Sequence, residues 1–138
     1  MNLQDLPAAL VAWAEGVHPE LAVAEGQVER IDAALPFCEA AVINSELRPR
    51  PGYEESHQRV TEARLMILAD PSDPQASARS LERMAATLQE RALDDETLGR
   101  RVAHCTPGRA SFDPPYVRFD DDTEARLATV VLTVTWPL

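Results

Sequence analysis

"RVTEARLMILADPSDPQASARSLERMAATLQERALDD" occupies Arg59 to Asp95, and its hydrophobic period changes once along its length. In Arg59–Ala69 the first half alternates and the second half is apolar throughout, the pattern of a strand entering a buried position. After "DPSDP" the period lengthens. Leu81, Met84, Ala85, Leu88 and Ala92 recur at steps of one, three and four, which is one stripe of a helix. Asp73 suits the N-cap and Pro74 the first turn, so a helix is expected over about 74–93. Gln89, Glu90 and Arg91 are expected to face water. A strand feeding one long amphipathic helix sets the frame for the rest of the chain.

Upstream, Leu3, Leu6, Leu10, Trp13 and Val17 share a helical face, and a first helix is expected over about 5–16, closed by Gly16 and Pro19. From Val28 to Ala69 the text is strand-like: "QVERIDA", "FCEAAVINSELR" and "HQRVTEARLMILAD". "RPRPGYEES" breaks it as a long loop or hairpin tip, about 48–56. Downstream of Gly99, "RRVAHC", "DPPYVRF" and "EARLATVVLTVTW" are three candidate strands within about 101–136. In the last, Val130, Leu132, Val134 and Trp136 fall on one face, with Thr129, Val131, Thr133 and Thr135 on the other. The order helix, strands, helix, strands predicts one α+β domain over 1–138: a mostly antiparallel sheet packed on one or two helices.

Composition narrows the function. Of 138 residues 45% are hydrophobic but only 5% aromatic, so the core is aliphatic and rings for base stacking are scarce. A net charge of −10 opposes wrapping by nucleic acid and docking on an anionic membrane. It suits a wall past which DNA slides. All 13 basic residues are arginine, which excludes Schiff-base lysine and P-loop lysine chemistry. The first residues lack a basic and an apolar signal region, and no apolar run is long enough to span a bilayer. Reduced thiols in the cytoplasm are the expectation for Cys38 and Cys105.

"LDDETLGRRVAHC", Leu93 to Cys105, holds the densest candidate chemistry. His18, His57 and His104 have no metal-binding spacing among themselves. His104 and Cys105 are neighbours on an expected strand, so their side chains point apart, and two buried structural thiols are expected. Gly99 supplies a permissive turn and Leu98 an apolar anchor on the helix end. Asp94, Asp95 and Glu96 sit where the helix dipole disfavours acids, and Arg100 and Arg101 are expected to offset them. "FDDDTE" lacks the alternation and glycine of a calcium loop and reads as a hairpin turn. No catalytic, cofactor or metal residue is assigned.

The series formed by an N-terminal helix, a β region, "LQERALDDETLGRRV" and the terminal strand "EARLATVVLTVTWPL" resembles the tail terminator, or tail completion, proteins of long-tailed bacteriophages and related particles. The resemblance is closest in the C-terminal half; where many relatives carry a second glycine after "TLG", this chain has Arg100. It implies a structural, non-enzymatic subunit without cofactor. Six copies would form a ring capping the head-proximal end of the tail tube and meeting the neck or connector protein. DNA would pass through the ring without sequence-specific binding. The implied location is the virion, after assembly from the host cytoplasm. From residue chemistry, Arg48, Arg50, Tyr53, Leu98 and Arg100 are the expected interface residues. Asp120, Asp121 and Asp122 are the expected lumen-facing acids. The alternatives are another head–tail joining subunit, or a small cytoplasmic ligand-binding or hydrolytic domain built on Cys105, His104 or His57.

Overall fold

The computed structural model describes residues 1–22, 35–119 and 122–138. The strand expected at "QVERIDA" and the acids Asp120 and Asp121 lie outside the described residues. Helix α1 spans Leu6–Val17 and helix α2 spans Pro74–Asp94. The strands are β1 (Phe37–Arg50), β2 (Tyr53–Ala69), β3 (His104–Ser111), β4 (Tyr116–Arg118) and β5 (Glu124–Pro137). All pair antiparallel in one sheet ordered β1-β2-β5-β3, with β4 also on β5. The fold is therefore α+β.

β5 is central. Its burial alternates as its sequence does: Val130, Leu132, Val134 and Trp136 point to the helices, while Thr129, Thr133 and Thr135 are half-buried on the other face. β2 pairs with it from Gln58↔Pro137 to Ala69↔Arg126 and adds Ala63, Leu65 and Ile67 to the same inner layer. α1 supplies Leu6, Leu10, Trp13 and Ala14, and α2 supplies all five residues of its stripe. Fully burying one such aliphatic side chain contributes about 1.5–3 kcal/mol, so this layer dominates stability. Asp73 caps α2 by accepting the Ala76 N–H at 3.2 Å. Gln89 departs from expectation: its Nε2 donates to Gly108 O at 2.7 Å, tying α2 to β3.

β3 and β4 pair with successive stretches of one flank of β5, from His104↔Thr135 to Arg118↔Glu124. They are one strand interrupted at residues 112–115. A bulge between Pro107 and Ala110 blunts this edge. Gly108 sits so close to β5 that a Cβ there would lie 2.9 Å from Val131 O.

Two expectations are corrected. The loop over about 48–56 is strand to within two residues: β1 and β2 pair as far as Arg50↔Tyr53, with register shifts at Val42/Asn44 and Pro49/Arg50, and only Pro51 and Gly52 turn the chain. Proline fixes the first corner and Gly52 adopts φ +78°, the combination of a type II turn. "RRVAHC" becomes strand only at His104, because residues 95–103 form a compact corner.

Among the described residues the second face of the sheet carries no helix. At its β4 end Phe37, Leu68 and Ala125 form a small separate cluster with Met66, Val117 and Leu127 packed on it. This explains why β2 reads as apolar on both faces in its second half.

Candidate functional site

The corner after α2 is built around Asp95. Its carboxylate accepts the Thr97 N–H at 3.0 Å, the Thr97 hydroxyl at 2.7 Å and the Gly99 N–H at 2.7 Å. These bonds hold its pKa below the usual carboxylate value, Thr97 first. Asp95 thus ends the helix by organising the turn that follows. Leu98, Gly99 and Arg100 are consecutive left-handed residues, with φ of 50°, 69° and 66°. For the two non-glycines this costs about 1–2 kcal/mol each. Burial of Leu98, fully enclosed with Val102 and Trp13 in the core, offsets much of that.

Leu98 is therefore part of this chain's own interior, which corrects its placement among interface residues. Arg100 is exposed. The expected offset of acids by Arg100 and Arg101 is also replaced. Glu96 pairs with His104 Nδ1 at 3.1 Å, and Arg101 Nη1 donates to Leu98 O at 3.2 Å.

His104 is exposed and Cys105 is buried, on opposite faces of β3. Burial pushes the Cys105 thiol up to about 12. Cys38 is also raised to about 12, by burial first and then by Glu15 and Glu39. Both cysteines are free. Strand order and register put them three strands and six residues apart, about 25 Å. His57 lies on the β2 extension beyond β5, about 15 Å from Cys105 by the same count. The residues of the hydrolytic alternative do not converge. Among the described residues no three His, Cys, Asp or Glu side chains group to hold a metal, and no helix is long and apolar enough to cross a membrane.

Arg48, Arg50 and Tyr53 share the β1–β2 tip. β2 loses its β5 partner before Gln58, so the hairpin projects about 17 Å past the body. Arg50 lies over the Tyr53 ring at 4.8 Å, Arg48 pairs with Glu46, and Leu47 and Tyr53 are 51% and 60% exposed. Asp122, with φ 63°, donates its N–H to Phe119 O at 3.0 Å in the β4–β5 turn. Arg118–Glu124 at 2.9 Å flanks that turn.

Two grooves escape a linear reading. One lies between α1 and the start of β1, lined by Ala8, Val11, Ala12 and Ala40, with Glu15 and Glu39 beside it. The other crosses the second face of the sheet, lined by Ile43, Met66, Leu127 and Val131, with Arg64 and Arg109 beside it. The second draws on four strands, so its residues are scattered over the sequence. The signal available was the odd-numbered apolar residues of β5, Leu127 and Val131, on a face otherwise written in threonine.

No protein-family model matches the chain, and no curated protein matches it.

Proposed function

We propose that the protein is a tail terminator subunit. In this reading, copies of the chain form a hexameric ring on the head-proximal end of a tail tube, stop tube growth and present a surface to the neck or connector protein. The observation that carries it is a hairpin arm projecting past the core, beside a sheet face on which no helix packs among the described residues. Arg and Tyr at the arm tip are the side chains that interfaces favour. The resemblance of "LQERALDDETLGRRV" and the terminal strand to the tail terminators supplies the particular assembly. A chain of net charge −10 suits a ring through which DNA passes without adhering. Asp122, with Asp120 and Asp121, is assigned to the lumen.

The test is tube assembly from tail tube protein with and without this chain, viewed by negative stain. Tubes of limited length bearing a ring at one end are expected. Unchanged length and bare ends would end the proposal.

A further inference from the structure

We draw no further inference here: the strongest candidate, the apolar groove on the second face of the sheet between Ile43, Met66, Leu127 and Val131 with Arg64 and Arg109 beside it, shares that face with Glu39, which pairs with Met66, and nothing in the structure shows what covers it.

Discussion

Arg100 occupies a left-handed position with φ 66°, beside Gly99 at φ 69°, and its side chain is exposed. Nothing about its burial requires a side chain there, and this is the position where the resembling proteins often carry glycine. The backbone geometry of a second glycine is thus kept by a residue that is strained in it. Arg100→Gly removes about 1–2 kcal/mol of strain, while the added freedom of the unfolded chain takes back about 0.4–1 kcal/mol. A net gain of about 0.5–1 kcal/mol in urea unfolding is expected, and a loss would mean that the guanidinium holds the corner. Asp95 makes the opposite case. Its carboxylate pKa is lowered by the Thr97 and Gly99 bonds, so the ionised form is the one that the fold favours. That stabilisation is fully present above the unfolded value of about 3.9 and is lost as pH falls through the lower folded value. Asp95→Ala should therefore lower the melting temperature at pH 7, and the gap from the wild type should narrow below about pH 4. A gap independent of pH would remove the charged bonds from the account.

At the scale of elements, the β1–β2 hairpin divides into a supported and an unsupported part. From Gln58 onward β2 is held by β5 and by the inner layer; before it, β1 is its sole strand partner. Isolated two-stranded hairpins are marginal, so the tip should open independently of the core. Amides near Arg50 and Tyr53 are expected to exchange hydrogen well before those of Leu65 and Ile67. Gly52→Ala, strained at φ +78°, should speed exchange at the tip and leave the melting temperature unchanged. A drop in melting temperature equal to that of a core truncation would show the arm to be integral. This arm is also where the linear reading failed. Pro49, Pro51, Gly52 and several charges together read as a loop, but the same residues suit an exposed hairpin end, where charge and proline protect an edge. The helices and β5 were legible because each buries one face against water, and that leaves a period of 3.6 or 2 in the sequence. Leu98 was legible as an anchor. That it anchors the chain's own core required the corner to fold back beside Trp13, a contact across more than eighty residues. The two grooves were not legible at all, because strand order decides which distant residues share a face.

At the scale of the whole molecule, the arginines decide how the chain meets DNA. Retention on duplex needs cations pooled on one surface to displace counterions, and here 13 arginines stand against 23 acids. Several are already engaged: Arg48 with Glu46, Arg118 with Glu124, Arg59 with the Ser45 hydroxyl at 3.0 Å. Others are dispersed in pairs: Arg64 and Arg109 at the sheet-face groove, Arg91 and Arg101 beside Trp13, Arg79 and Arg83 on α2, and two phosphate contacts at any one of these give weak, strongly salt-dependent binding. Duplex DNA of random sequence is therefore expected to run unretarded beside this protein in a gel at physiological salt. Lowering the salt sharpens the question. If the cations act only as separate pairs, low salt should still leave the DNA free. If they serve phosphate, low salt should retard the DNA, and R64E/R109E should abolish that retardation. The second outcome would turn the sheet face into a nucleic-acid surface. It would also remove the reason for assigning a repelling wall to a chain with this excess of acids.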